Sequence, residues 1–501
     1  MKKLTKVLTL IISLLLAVSL FGCGSKTSAK KSAQTTEAKK SSATTETPVK
    51  VLSHEEFIAA ESGEDIAIEA YVQGKQYYNS WGNTSLYLQD DNGGYYVYRW
   101  YCTEEEYNAI EIGDKVKVVG EKGEWAGEHE VAEATAKVQK LDAEPKFYDA
   151  LDCTDLLGTD DLIKHQNEFV KFTALKVVES VANSIDPETQ QEVEHKGAFL
   201  YNWDGSGERG SDIYFNVTDG KNTYQFLIES DLCNKDSNAY KMAETLEVGD
   251  YINVEGFLFW YNGLNPHINY IEKIQFVDHA GYVAAEKGEL IIFEAYVQQK
   301  QIYNAWGNTS LYLQDEDGGY FVYRWYCSEE EYNAVTPGKK VRVIGEKTAW
   351  AGQHEIAEGT AKVEVLDDEP RIFDVYEVKN PIDQEALLAH QCEYVVFDVT
   401  VLESVGNYTD SETQQNIEKK GAFLYNWDGS GQSGSDLYIT VTDGTNNYQF
   451  VVESDLIPSS SDLYQFVESD LKIGDHLEIY AMLYWYNGIN PHIVAIVLLN
   501  K

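Results

Sequence analysis

Ile213-Tyr214-Phe215-Asn216-Val217-Thr218-Asp219-Gly220-Lys221-Asn222-Thr223-Tyr224-Gln225-Phe226-Leu227-Ile228 is the stretch from which the rest can be read. Apolar and polar residues alternate with a period of two on both sides of an Asp-Gly pair, the pattern of two strands joined by a tight hairpin turn. Upstream, Phe169-Val170-Lys171-Phe172-Thr173-Ala174-Leu175 predicts a first strand after a short helix over Asp160 to His165. Downstream, a polar helical stretch from Asn238 to Glu247 leads through Val248-Gly249-Asp250 into a strand over Tyr251 to Gly256, and a last strand follows Pro266-His267. The expected order is five strands with one helix between the third and fourth.

The same pattern recurs along the chain. Tyr71 to Ala109 matches Tyr296 to Ala334 at 32 of 39 positions, a repeat of 225 residues, and the match runs on through Trp125/Trp350, Trp203/Trp427, Trp260/Trp485 and His267/His492. Each unit also divides in two: Gly113-Asp114…Gly120…Trp125-x-Gly127-x-His129 answers Gly249-Asp250…Gly256…Trp260-x-x-Gly263…His267. The order of elements, the Asp-Gly hairpin and the Gly-Asp-hydrophobic-Gly-aromatic-Gly ending resemble the OB-fold, a small Greek-key barrel. The resemblance implies an all-β chain of four tandem five-stranded OB-fold-like barrels in two duplicated pairs, over residues 53–143, 144–278, 279–368 and 369–501.

At the N-terminus, Lys2, Lys3 and Lys6 precede an apolar run from Leu8 to Phe21, too short for a permanent span and followed by Gly22-Cys23. Leu20-Phe21-Gly22-Cys23 resembles the lipobox of bacterial lipoproteins, which implies a signal peptide over residues 1–22 and lipidation of Cys23. Tandem barrels behind a lipobox are similar to exported OB-fold lipoproteins of Gram-positive bacteria. Residues 23–52 are rich in Ser, Thr, Ala and Lys and cannot bury enough apolar surface to fold, so a flexible tether is expected. The expected location is the outer face of the cytoplasmic membrane, with the membrane itself a partner through the lipid.

Setting aside the nine lysines and two glutamates of the first fifty residues leaves 31 basic against 80 acidic residues, a net charge of −49. Such a field repels phosphate backbones, so nucleic acid is disfavoured as a partner on this reading. Beyond Cys23 the cysteines are Cys102, Cys153, Cys233, Cys327 and Cys392, an odd number without CxxC spacing, which points to buried free thiols rather than disulfides or a zinc site. No nucleophile elbow, phosphate loop or HExxH motif is present, so the chain reads as a non-enzyme with no cofactor. Asp90 to Gly94 and Asp315 to Gly319 lack EF-hand spacing and read as solvated hairpin turns, and His129, His267, His354 and His492 read as structural rather than metal-binding.

Two function classes remain. One is a non-catalytic surface binding protein for glycans, with aromatic rings stacking on sugar faces; the other is a structural spacer or protein-interaction scaffold for an envelope protein. If Leu86 and Leu88 face into a barrel, Tyr87 faces out, and an inward Val97 sends Tyr96, Tyr98 and Trp100 outward. OB-folds use the face of strands two and three with the adjoining loops for binding, and those loops contribute Trp81 and Trp125. The third barrel offers Trp306, Tyr312, Phe321, Tyr323, Trp325 and Trp350 by the same reasoning. Trp203 and Trp427 stand in the Asn-Trp-Asp-Gly-Ser-Gly loops as further candidates.

Overall fold

The computed structural model describes residues 49–499; Cys23, the signal segment and most of the tether lie outside them. In the first barrel, β1 (Asp65–Lys75), β2 (Asn83–Asp90), β3 (Gly93–Tyr101), β4 (Lys115–Trp125) and β5 (Glu128–Val131) run in the order β1-β2-β3-β5-β4. Pairing of β1 with β4 from Asp65↔Glu121 to Tyr71↔Lys115 closes the barrel, and β3 meets β5 in parallel. A short β6 (Lys137–Lys140) extends β4 at its edge. Helix α1 (His54–Ala59) precedes β1, and α2 (Glu104–Ala109) joins β3 to β4. Both carry a capping box, Ser53 with Glu56 and Thr103 with Glu106, in which each side chain satisfies the other residue's backbone N–H.

The second barrel repeats this topology with an insertion. A two-residue β7 (Leu151–Asp152) flanks β8 (Phe169–Val178), and between β8 and the next barrel strand stand β9 (Ser180–Ile185), β10 (Glu192–Gly197) and β11 (Leu200–Tyr201). Then come β12 (Ile213–Thr218), β13 (Thr223–Ile228), α3 (Asn238–Ala243), β14 (Tyr251–Phe257) and β15 (His267–Lys273), closed by β12–β8 pairing. The expected hairpin over 213–228 forms with Ile213↔Ile228 and Thr218↔Thr223 in register. Asp219 Oδ1 accepts the N–H groups of Lys221 and Asn222 in its turn. The 160–165 segment is a 3-10 turn over Leu162–His165, and the helix after β13 is shorter than its polar stretch. The ribbon β9–β10 is a separate two-stranded sheet that period-two reading of the core strands did not anticipate.

Residues 290–365 and 376–498 build a third and a fourth barrel with the same strand orders, so the fold is four closed five-stranded barrels in two similar pairs. Each has its own core: Ile66, Leu86, Leu88, Val97 and Val116 in the first, Phe172, Phe215, Phe226 and Ile252 in the second. A further apolar cluster joins each pair. Tyr87 and Tyr96 of the first barrel pack on Phe257, Phe169 and Phe259 of the second, and Phe257 stacks on Tyr87 with centroids 4.2 Å apart and planes 8° from parallel. Tyr312, Phe321, Cys392 and Met482 do the same between the third and fourth barrels.

The outward aromatic face expected from the sequence is not what the barrels present to solvent. Tyr87, Tyr96, Tyr312 and Phe321 do face away from their own barrel centres, but the neighbouring barrel covers them and they are at most 2% exposed. Trp100 and Trp325 point inward, into the barrel cores. The β2–β3 ladder passes from Leu86↔Val97 to Thr84↔Trp100, one extra residue on β3, and Arg99 takes a φ of 42° there. Such a bulge shifts the alternation by one, so the parity that sends Tyr98 outward returns Trp100 to the core. Arg324, with φ 43°, repeats the device in the third barrel.

Candidate functional site

The loop after β1 is built to hold a tryptophan in solvent. Asn79 Oδ1 accepts the N–H of Trp81 at 3.0 Å, Asn79 Nδ2 donates to Asn83 Oδ1 at 2.7 Å, and Gly82 turns the chain with φ 75°. Tyr78 OH ties the loop to the carbonyl of Cys102 at 2.9 Å. Trp81 is left 80% exposed, and Trp306 in the matching loop 82%. An indole kept in water forgoes roughly 3–5 kcal/mol of burial free energy, so a turn braced to keep it there is a feature to explain.

Trp81 borders a cleft of about 680 Å³ that straddles the first pair of barrels. The first barrel supplies Gln76, Asn79, Asn83, Ser85, Tyr98, Arg99 and Tyr101; the second supplies Glu229 and Asp231, just beyond β13. Both Ser230 N–H and Ser230 Oγ donate to Asp212 Oδ1 at 2.7 Å, and Tyr77 N–H donates to the Asp231 carbonyl at 2.7 Å, so the Glu-Ser-Asp segment is held against the Trp81 loop. At the bulge, Arg99 lies over the Tyr98 ring and donates to Glu133 at 3.3 Å.

The floor is a polar chain running into the joint between barrels. Gln76 Nε2 donates to Glu229 Oε2 at 2.6 Å, that oxygen lies 3.1 Å from His267 Nδ1, and Tyr87 OH lies 2.6 Å from the same nitrogen. Burial pushes the Glu229 carboxyl up, but His267, Gln76 and Arg99 outweigh it and hold it below the usual carboxylate range. Asp231 is pushed up, first by burial and then by Glu229 and Asp212, with Arg99 opposing.

The second pair of barrels repeats the arrangement. A cleft of about 330 Å³ is lined by Gln301, Asn304, Trp306, Asn308, Arg324, Tyr326 and Asp455. Through Gln301 it meets a second space of about 550 Å³, lined by Tyr323, Trp427, Tyr438, Glu453, Tyr484, Tyr486 and His492 among others. Gln301, Glu453, His492 and Tyr312 form the same chain at 2.7, 3.0 and 2.7 Å.

Of the residues singled out from sequence, Trp81, Tyr98, Trp306, Phe321, Tyr323 and Trp427 line these clefts. Trp125, Trp203 and Trp350 are 64–69% exposed but do not border them. Sequence reading missed Arg99, Glu229, Asp231 and their partners Arg324, Glu453 and Asp455. The signal was available: Glu229-Ser230-Asp231-Leu232 recurs as Glu453-Ser454-Asp455-Leu456, while the chain just beyond diverges. His129 and His354 sit beside Lys122 and Lys347 at 3.0 and 3.1 Å. Among the described residues no three His, Cys, Asp or Glu side chains gather as a metal site, and no helix is long and apolar enough to cross a membrane.

No protein family matches the chain, and no curated protein does. Among solved structures it is similar to a Replication Protein A heterotrimer bound to ssDNA, at 8% identity over 66% of this chain and 93% of that one, with a TM-score of 0.17. It is also similar to a murine DNA-binding protein with double-stranded DNA (8% identity, 40% and 100% covered, TM-score 0.19) and to the Ifi202 HINa domain with a 20-base-pair duplex (9%, 40% and 95%, 0.18). At these TM-scores the neighbours carry no ligand over to this chain. They do conflict with the expectation that nucleic acid is disfavoured as a partner, and that expectation is withdrawn. Its physical weakness is plain: a net charge sums over a whole surface and does not give the potential inside one groove.

Proposed function

We propose that this chain is a non-catalytic glycan-binding protein, held at the outer face of the cytoplasmic membrane by lipid on Cys23, with one binding cleft on each pair of barrels. The observation that carries the reading is a solvent-held tryptophan beside amide, tyrosine and carboxylate groups, present in both pairs. A sugar ring offers a C–H face that packs on an indole and hydroxyls that hydrogen-bond to Asn, Gln, Asp and Glu, which is the combination lining these clefts. Aromatics spent between barrels make each pair stiff, so the groups on either side of the cleft are preorganised and little ordering entropy is lost on binding.

A glycan panel titrated against residues 49–501 tests the binding. Trp81→Ala with Trp306→Ala should weaken the best ligand tenfold or more while stability stays within about 0.5 kcal/mol. Trp100→Ala is the contrast, because loss of a core indole costs about 3–5 kcal/mol. Binding of single-stranded DNA with no glycan bound would overturn the reading. The anchor has its own test: Cys23→Ser should release the chain from the membrane fraction, since two acyl chains are what hold such a protein to a bilayer. Membrane retention of that variant would refute it.

A further inference from the structure

The charge inside the clefts goes further than the glycan reading, on which this inference rests. The ionisable side chains lining the first cleft are Glu229, Asp231 and Arg99, with the phenols of Tyr98 and Tyr101. Arg99 is shared with Glu133 on the outer side of the first barrel, and Arg324 with Glu358 in the repeat, both at 3.3 Å. Both contacts to Glu229, from Gln76 and His267, fall on Oε2, and both contacts to Glu453, from Gln301 and His492, fall on its Oε2. Among the described residues no hydrogen bond reaches Oε1 of either. Among the described residues no hydrogen bond reaches the carboxylates of Asp231 or Asp455, whose neighbours act on them only through burial and charge. Asp231 adjoins two further acids, Glu229 and Asp212, and Asp455 adjoins Glu453 and Asp436. The first cleft therefore presents two carboxylates with free oxygens, one already shared guanidinium and an indole whose face attracts cations; in the repeat Asp455, Arg324 and Trp306 line one cleft and Glu453 lines the space that joins it at Gln301.

We infer that the glycan these clefts take carries free amino groups, as in a polymer of de-N-acetylated hexosamine. A protonated sugar amine supplies the positive charge the spare carboxylate oxygens lack, and its ring still packs on Trp81 or Trp306. The net charge of −49 beyond residue 50 adds long-range attraction for such a polymer. An acetylated or neutral sugar would leave Asp231 and Asp455, each beside two further acids, with only the shared guanidinium of Arg99 or Arg324 opposing them.

The experiment titrates residues 49–501 with glucosamine oligomers, their fully N-acetylated counterparts and neutral glucan oligomers of equal length. It is done at about pH 6, where such amines are protonated and ordinary carboxylates ionised. The free-amine oligomer should bind at least tenfold tighter than the acetylated one, and the advantage should vanish in the isosteric double variant Asp231→Asn, Asp455→Asn with no change in melting temperature. Equal or tighter binding of the acetylated or neutral oligomers overturns the amine inference and leaves the glycan reading standing. Failure of every oligomer to bind overturns both. An amine preference that survives the two asparagines comes from the overall surface field rather than the clefts, and also overturns the inference.

Discussion

Single side chains at the barrel joints show how two copies of one design settle on different chemistry. Glu128 is fully buried, accepts from Asn167 Nδ2 and, at 2.9 Å, from Trp260 N–H; the repeat has Gln353, which accepts from Trp485 N–H at 3.0 Å and donates to Cys392 Sγ at 3.0 Å. Glu with Asn and Gln with Cys are thus alternative ways to satisfy one buried N–H. At the third–fourth joint, burial pulls Lys347 down to about 8 and His354 down to about 4, and pushes Glu355 up to about 7. A carboxyl whose folded pKa lies above its unfolded value holds more protons folded than unfolded between the two, so its contribution to stability is present at acid pH and is lost as pH rises. Glu355, 6% exposed, should make the parent lose on the order of 3 kcal/mol relative to Glu355→Gln between about pH 4.5 and pH 7. His354 acts with the opposite sign, its contribution growing from about pH 4 to its usual 6.5, so the parent's own profile is flatter than that difference. Denaturant melts of both proteins across this range measure it, and parallel stability curves would mean that Glu355 titrates normally.

Between elements, the decisive contacts are approaches too close for a side chain. The β2–β3 hairpin of the first barrel ends on Gly93-Gly94, and a Cβ on Gly94 would fall 2.2 Å from the carbonyl carbon of Asn167 and 2.3 Å from Glu168 N. The third barrel repeats this with Gly319, 2.3 Å from the carbonyl oxygen of Gln391. Because the obstruction is backbone, Gly94→Ala must push the two barrels apart and loosen the Tyr87–Phe257 stack behind it. A loss of about 1–3 kcal/mol and a lower melting temperature are expected, with Gly319→Ala acting likewise on the second pair. A melting temperature unchanged by either would mean that the barrels do not meet as described. The ribbon β9–β10 stands apart from such packing, with Val181 and Ile185 exposed, though Gly205 of the Asn-Trp-Asp-Gly-Ser-Gly loop lies against His195 at its base. That contact ties the Trp203 loop to the ribbon, while the Leu200↔Tyr214 pairing and Asn202 N–H, which donates to the Asp212 carbonyl at 2.8 Å, tie it to the barrel.

Across the whole molecule, the two pairs are joined as well as repeated. Tyr251, Ile274, Ile292 and Ile344 form an apolar cluster between the second and third barrels, and Arg342 reaches Glu294, Glu364 and the Tyr251 hydroxyl around it. Much of this architecture was legible in the chain itself. Strand alternation, Asp-Gly turns and a 225-residue repeat are local or self-referential signals, so residues 213–228 alone identify a hairpin and the duplication multiplies it into four barrels. The candidate site was legible only in part. Trp81 and Trp306 stand in loops that polar punctuation marks out, but Glu229 and Asp231 join them from 150 residues away. Tertiary structure alone decided which outward rings meet solvent. Tyr87 and Trp81 are both aromatic residues outside a barrel core, yet Tyr87 is covered by Phe257 while the loop of Trp81 is pinned open by Asn79. It alone also decided the direction of Trp100, because one extra residue at Arg99 reverses the parity of a strand whose composition gives no sign of it. Periodicity is set by neighbours along the chain, whereas burial is set by whichever surface arrives from elsewhere in it.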